Sequence, residues 1–273
     1  MPSPAITRTA VAGAALLAAL AASASGRPIG PPPERDPFTS AAMIAFLATR
    51  AGEITAAVYD VRTGRLFALR PGVREDEASI AKVDILATLL HERGAAPLAG
   101  AAAQEAAAAI DESDNDAAQA LWNDAGGDPS IAAFNAAAGM TQTVLEPKGI
   151  WGQDQTTAVD QIHLLEVLDS PNAVLPTPAR EYELGLMRTV TPVQAWGVSA
   201  GVLAPATVAL KNGWLPPANE PGWQINSVGI VRGRGRHYLL AVLTANNPGM
   251  AYGSQTIAAI SQLVWHALSP RAR

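Results

Sequence analysis

The chain has 273 residues and a formal net charge of −5, and 49% of it is apolar while only 16% is charged. This balance supplies a core of domain size and argues against a disordered chain or a nucleic-acid-binding protein. The absence of cysteine excludes disulfides, thiol nucleophiles and thiolate metal sites, and the four histidines form no HExxH or other close pair that would indicate a zinc site.

The N-terminal residues have the pattern of a cleaved export signal. Arg8 precedes an apolar run that ends in the small-residue sequence Ala-Ser-Ala at residues 22–24. The run is shorter than the ~20 residues of a membrane span, which favours cleavage over a retained anchor. We expect residues 1–24 to be a Sec-type signal peptide and residues 25–37 to be a proline-rich linker. The mature protein is then secreted or held in the periplasm or cell envelope, with no integral membrane span.

The remaining chain, residues 38–270, is predicted to begin and end with sheet-forming sequence around a helical middle. In chain order we expect a helix over 40–50, strands over 54–61 and 65–69, helices over 79–92, onward to about 125, 130–138, 156–168 and 180–190, strands over 207–210, 226–232 and 237–245, and a helix over 254–268. This order predicts an α/β protein of the α+β type, with a five-stranded antiparallel sheet flanked by helices. An all-helical subdomain, about 79–199, is inserted between the α/β parts, 38–78 and 200–270, and the ligand groove is expected between sheet and helices.

The first of three motifs that can carry chemistry is Ser79-Ile80-Ala81-Lys82. At the start of a helix, Ser79 and Lys82 share one face, and the positive end of the helix dipole favours an alkoxide on the serine. A lysine in a partly dry groove near another cation can lose its proton and act as the base that a serine nucleophile needs. On its own, the same spacing is also typical of an N-cap serine followed by a surface lysine.

The second motif is Ser113-Asp114-Asn115, within the helical region. A second serine near the lysine can relay a proton to a leaving nitrogen, and the asparagine amide can hold both the lysine and a substrate amide. A helix cap or turn is the ordinary structural explanation of this sequence.

The third motif is Lys211-Asn212-Gly213-Trp214, at the end of a predicted strand. The lysine would place a cation for a substrate carboxylate, and the glycine allows close approach of the backbone. The N–H groups of Ser79 and Trp214 are candidates for an oxyanion hole. A strand-end turn is the alternative, but two of the only three lysines in the chain fall inside the motifs.

This ordered set resembles the class A β-lactamase and penicillin-binding family, whose signatures are S-x-x-K, S-D-N and K-T-G. The likeness spans about residues 40–267 and includes a loop that ends at Thr156-Thr157. The family forms an acyl-enzyme, so the resemblance implies a serine hydrolase that acts on β-lactams or peptidoglycan stem peptides, without metal or organic cofactor and as a monomer. The implied roles are nucleophile for Ser79, proton transfer for Lys82 and Ser113, substrate positioning for Asn115, and carboxylate binding for Lys211.

Two departures from the family pattern bear on turnover. Asn212 replaces the usual threonine, and the bulky Trp214 follows the motif. Class A β-lactamases also carry a glutamate in the loop before the threonine pair, which activates the water that clears the acyl-enzyme. Here the loop is short, and the spacing of Glu146 to Thr156 does not fit that of the family. Asp154 is the other acid in the loop, and which of the two, if either, serves as a deacylating base stays open. We therefore expect slow deacylation, while peptidase action and no turnover stay open.

Two other interpretations are open from the sequence. Residues 197–201, Gly-Val-Ser-Ala-Gly, match the G-x-S-x-G elbow of α/β-hydrolases, although the strand and helix that the elbow needs are not predicted around them. The other is a non-catalytic module on the same fold that binds β-lactams or peptidoglycan. Acylation of Ser79 distinguishes an enzyme from such a module.

Overall fold

The computed structural model describes residues 36–217 and 221–269. The predicted signal peptide and all but the end of the predicted linker lie outside the described residues. Pro37, which we had placed in the linker, begins a buried 3-10 helix, Pro37–Thr39, whose first turn is capped by the Asp36 carboxylate. No helix in this described part of the chain has the length and apolar character of a membrane span.

The predicted five-stranded antiparallel sheet is confirmed. Its strands have the order β2-β1-β7-β6-β5, and a separate two-stranded ribbon pairs β3 with β4. The strands are β1, Glu53–Asp60; β2, Arg65–Leu69; β3, Arg74–Asp76; β4, Gln155–Thr157; β5, Thr207–Leu215; β6, Trp223–Gly233; and β7, Arg236–Asn247. This topology places β5, the strand that contains the motif lysine Lys211, at one edge of the sheet.

Helices cover both faces of the sheet. They are α1, Ala41–Leu47; α2, Ala81–Arg93; α3, Gly100–Ala107; α4, Asn115–Ala125; α5, Asp128–Ala138; α6, Ala158–Asp169; α7, Thr177–Arg188; and α8, Met250–Ala267. Alternate residues of β7 feed two separate cores: Leu239 and Leu243 pack with α2 to α7, while Leu240 and Val242 pack with α1 and α8. The two-residue period of the strand therefore builds both layers.

Helix α2 runs through the centre of the larger core. Every residue from Ala81 to Leu90 is buried, as expected for a helix that is apolar all round. Lys82 and Asp84 are the charged residues of this buried stretch, and each is at most 2% exposed. Burying a charged side chain costs free energy unless it has partners. A buried lysine and a buried aspartate on this helix therefore indicate a functional site or a side chain held by specific contacts.

Three expectations from the sequence differ from the structure. The strand predicted over 207–210 continues to Leu215, so the Lys-Asn-Gly-Trp sequence lies inside an edge strand and forms no turn. The helix predicted from Ser79 begins with a 3-10 turn, Ala78–Ile80, before α2. The alanine-rich helix is interrupted at Ser113, where a left-handed residue ends one turn of π-helix. In each case contacts distant in sequence override the local pattern.

Candidate active site

Ser79 lies in the middle of the 3-10 turn that leads into α2. Ala78 before it has a left-handed backbone, with φ of 53°, which is unusual for a residue with a side chain. Strand β5 presses against this turn at Gly213, where an added Cβ would lie 2.7 Å from the Ser79 nitrogen and 2.8 Å from the Ile80 nitrogen. The position therefore requires glycine, since any side chain would displace the serine.

Lys82 points from the first turn of α2 into the centre of the site. Its Nζ donates to the Ser113 carbonyl at 2.6 Å and to Asn115 Oδ1 at 2.8 Å, and lies 3.1 Å from the Oγ atoms of Ser79 and Ser113. Burial lowers the pKa of Lys82 to about 8, against a smaller opposing effect of the Asp114 carboxylate. The lysine can therefore shed its proton near neutral pH.

The break between α3 and α4 aims Ser113 at two lysines. One turn of π-helix, Ala108–Glu112, leads into Ser113, whose φ is 65°, and the Asp114 carboxylate then caps α4 by accepting from the Ala117 N–H at 2.7 Å. Ser113 Oγ lies 3.1 Å from Lys82 Nζ and 2.9 Å from Lys211 Nζ. Asp114 thus holds the helix start, and the hydroxyl lies between the two amines.

Lys211 is 1% exposed, and its Nζ donates to Ser113 Oγ and to the Asn212 carbonyl. Burial, and then the charge of Lys82, hold its pKa well below the usual lysine value. The Asn212 side chain turns away and donates to the carbonyls of Gln194 and Trp196, at 2.6 and 3.2 Å. At the family's threonine position, this amide therefore holds a neighbouring segment in place and does not face the groove.

A groove of about 440 Å³ opens over Ser79. Its lining comes from four parts of the chain: the Ser79 turn, the start of α4, the loop before β4, and the end of β5. The lining residues are Ala78, Ser79, Asn115, Asp116, Gln119, Gly149, Ile150, Trp151, Gly152, Gln153, Trp214 and Leu215. Asp116 is the one charged side chain among these described lining residues.

The two loop acids do not line this groove. The Glu146 carboxylate accepts from the N–H groups of Lys148 and Ile150, at 2.7 and 3.3 Å, and so closes its own loop. Asp154 is 4% exposed and accepts from the Glu146 N–H at 2.7 Å, and burial raises its pKa to about 7. Neither carboxylate is presented to the hydroxyl of Ser79.

Trp151 occupies the side of the groove where this loop faces Lys82. The centroid of its indole ring lies 5.4 Å from Lys82 Nζ, and its Nε1–H donates to Gln119 Oε1 at 3.2 Å. Gln119 was not singled out from the sequence, although it follows Asn115 by one helical turn on α4 and so shares its face.

Asp84 is a second residue that sequence reasoning missed. Burial raises its pKa to about 8, so this acid, two residues after Lys82, holds its proton at neutral pH. An aspartate among apolar helix residues was the available signal.

The residues 197–201 do not form a nucleophile elbow. They make a 3-10 turn, Gly197–Ser199, and the Ser199 hydroxyl donates to the Ala195 carbonyl. Neither a strand before this turn nor an α-helix after it is present in the described segment from 189 to 206. The elbow interpretation is wrong because the segment lacks the geometry that exposes such a serine.

Comparison with known proteins supports the assignment of the fold. A sequence profile described as the β-lactamase enzyme family matches residues 101–268, more than half of the chain. No curated protein matches the chain significantly by sequence.

Solved structures of β-lactamases share the fold at low sequence identity. A class A β-lactamase from Bacteroides cellulosilyticus matches with a TM-score of 0.70 at 15% identity, covering 82% of this chain and 94% of that chain. A β-lactamase from Chitinophaga pinensis matches with a TM-score of 0.71 at 17% identity, over 82% and 97% of the two chains. One from Desulfarculus baarsii matches with 0.69 at 21%, over 84% and 97%. The chain therefore belongs to the β-lactamase enzyme family and is a serine hydrolase with the class A β-lactamase fold.

Proposed function

We propose that the protein is exported and that Ser79 attacks an amide carbonyl of a β-lactam or a cell-wall peptide, forming an acyl-enzyme that water releases slowly. The observation that carries this proposal is the 3.1 Å contact between Ser79 Oγ and the Nζ of Lys82, a lysine with no exposed surface. Export rests on the sequence pattern of residues 1–24.

Lys82 acts as the base in acylation. In its neutral form Nζ has two N–H groups and one lone pair. The N–H groups are directed at the Ser113 carbonyl and Asn115 Oδ1, which leaves the lone pair for the Ser79 hydroxyl. The hydroxyl proton passes to Nζ as Oγ bonds to the substrate carbonyl carbon.

Ser113 passes the proton onward to the leaving nitrogen. Its Oγ is in hydrogen-bond reach of both Lys82 Nζ and Lys211 Nζ. As the carbon–nitrogen bond breaks, Ser113 gives its proton to the nitrogen and regains one from Lys82. Lys211 donates to the same oxygen and so stabilises the negative charge that develops on it.

The backbone N–H groups of Ser79 and Trp214 are proposed to hold the carbonyl oxygen during attack. The close packing of Gly213 on the Ser79 turn supports this arrangement, because it brings β5 against the nucleophile. Asn115 keeps its Nδ2 for a substrate carbonyl, since its Oδ1 accepts from Lys82. In its protonated form Lys211 supplies positive potential for a substrate carboxylate, and a neutral Lys82 favours that form because the neighbouring charge is removed.

Slow deacylation is supported by the positions of the loop acids. A water needs a base within hydrogen-bond reach before it attacks an ester at a useful rate. Glu146 is engaged by its own loop, and Asp154 is buried beneath that loop. An acyl-enzyme formed on Ser79 therefore lacks a carboxylate base in the lining of the groove, apart from Asp116 on α4.

Labelling with a fluorescent penicillin tests this function. Wild type should become covalently labelled, and Ser79→Ala should not. Ser199→Ala is the matched control, because that serine belongs to the rejected elbow and should be labelled like wild type. Labelling that is lost in Ser199→Ala but kept in Ser79→Ala would contradict the proposal and point to Ser199 as the nucleophile. Absence of labelling from wild type would contradict it and favour the non-catalytic binding module.

A further inference from the structure

Protein groups surround the amine of Lys82, which has no exposed surface. Its Nζ contacts Ser79, Ser113 and Asn115, and the indole of Trp151 lies over it, with the ring centroid 5.4 Å from Nζ. Aromatic rings attract an ammonium through their faces and offer no hydrogen bond to a water beside it. Lys82 has no exposed surface while Trp151 lines the groove, so the indole is one of the groups that separate this lysine from the groove.

The loop that carries Trp151 is fastened at several points. Val144 and Gln155 pair through two backbone hydrogen bonds of 2.8 and 2.9 Å, which close the base of the loop. The Glu146 carboxylate bonds to two N–H groups inside it. The indole N–H then bonds to Gln119 on α4, across the groove from the loop. The ring is thus held in place by the fold and does not depend on a bound ligand.

We propose that Trp151 is a positioning residue that keeps water from the acylated Ser79, and that its hydrogen bond to Gln119 holds it there. The inference rests on the proposed acyl-enzyme. In the hydrolysis that Trp151 opposes, a water oxygen bonds to the acyl carbon and the carbon–Oγ bond breaks. One water proton goes to Lys82, and Ser79 Oγ regains a proton from it. The indole then stabilises the acyl-enzyme, in addition to the absence of Glu146 and Asp154 from the lining of the groove.

The lifetime of the penicillin adduct tests this role. The adduct is formed, free penicillin is removed, and loss of the added mass is followed over time, with the acylation rate measured separately. Trp151→Ala should shorten the lifetime roughly 100-fold, the lower range of what a general base contributes to a reaction once water reaches it. Trp151→Phe, which retains a ring but loses the N–H that bonds to Gln119, should shorten the lifetime less than Trp151→Ala does, and acylation should change by much less than deacylation in both.

Two further variants separate this role from a general loosening of the loop. Val144→Ala is the control, because this side chain is 51% exposed on the same loop and does not line the groove. Its adduct should persist like that of wild type. Gln119→Ala, on the exposed face of α4, should shorten the lifetime less than Trp151→Ala does. Free indole added to Trp151→Gly should lengthen the lifetime again, which a purely structural effect would not allow.

The outcomes separate this inference from the function on which it rests. No adduct on wild type would overturn the proposed function and this role with it. An adduct of equal lifetime in wild type and Trp151→Ala would overturn the role of Trp151 alone, as would a Val144→Ala adduct that is lost as fast as the Trp151→Ala adduct. If Trp151→Ala fails to fold, judged by its thermal unfolding, the Gln119→Ala lifetime decides, and a value equal to wild type overturns the inference.

Discussion

Acylation of Ser79 should become faster as the pH rises through the pKa of Lys82. The proposed base is the neutral amine of Lys82, and burial lowers the pKa of this lysine to about 8. With this pKa, roughly 1% of the lysine is neutral at pH 6 and about half at pH 8, so the acylation rate should rise roughly 50-fold between them and then level off. Rapid-quench mass spectrometry with a penicillin measures this rate at each pH.

Asp114→Asn makes the same prediction sharper. The Asp114 carboxylate raises the pKa of Lys82, against the larger effect of burial. Asparagine caps a helix about as well as aspartate, so α4 should keep its start while the charge is removed. The rise in acylation rate should therefore move to lower pH, with little change in stability. An acylation rate that does not change between pH 6 and 8, or a profile that moves to higher pH in Asp114→Asn, would refute the role of Lys82 as base.

Three other predictions concern the surroundings of the site. Burial raises the pKa of Asp84 to about 8, so the folded state keeps a proton that the unfolded chain releases near its usual pKa, and stability falls as the pH rises between those values. Asp84→Asn should remove that contribution, and an unchanged pH slope of the urea unfolding free energy would show that Asp84 is ionised in the folded state. Gly213→Ala should lower the acylation rate by about 100-fold, since its Cβ would displace the Ser79 turn; a rate equal to wild type would mean that the strand yields without moving Ser79. Glu146→Gln should leave the adduct lifetime unchanged, whereas a longer lifetime would identify Glu146 as a deacylating base.

The sheet and the three motifs could be predicted from the sequence because their signals are local. β7 is visible as a continuous apolar run over residues 238–243, and lysine is so rare in this chain that Lys82 and Lys211 stand out. The order of the three motifs along the chain then indicated that they line a single groove between the sheet and the helices. The structure brings the two amines together on Ser113 Oγ, at 3.1 and 2.9 Å.

The features that could not be predicted depend on distant contacts. Lys211 lies in β5, which pairs with β6, and its buried amine donates to a hydroxyl 98 positions earlier in the chain. The pairing of β3 with β4 is three residues long on each side, too short for any periodic signal. The position of Trp151 over Lys82 joins a loop to a helix, and nothing in the local sequence of either specifies the contact.

Peptide mapping of the penicillin-treated protein tests the central claim most directly. Trypsin cleaves after Arg74 and Lys82, and the peptide between them, Glu75–Lys82, contains Ser79 as its only hydroxyl residue. The account predicts that the mass of the penicillin appears on this peptide in wild type. In Lys82→Gln, which loses the second cleavage site, it should be absent from the corresponding longer peptide, residues 75–93, after the same time. A mass gain on any other peptide, or none on this one, would contradict the assignment of Ser79 as the acylated nucleophile.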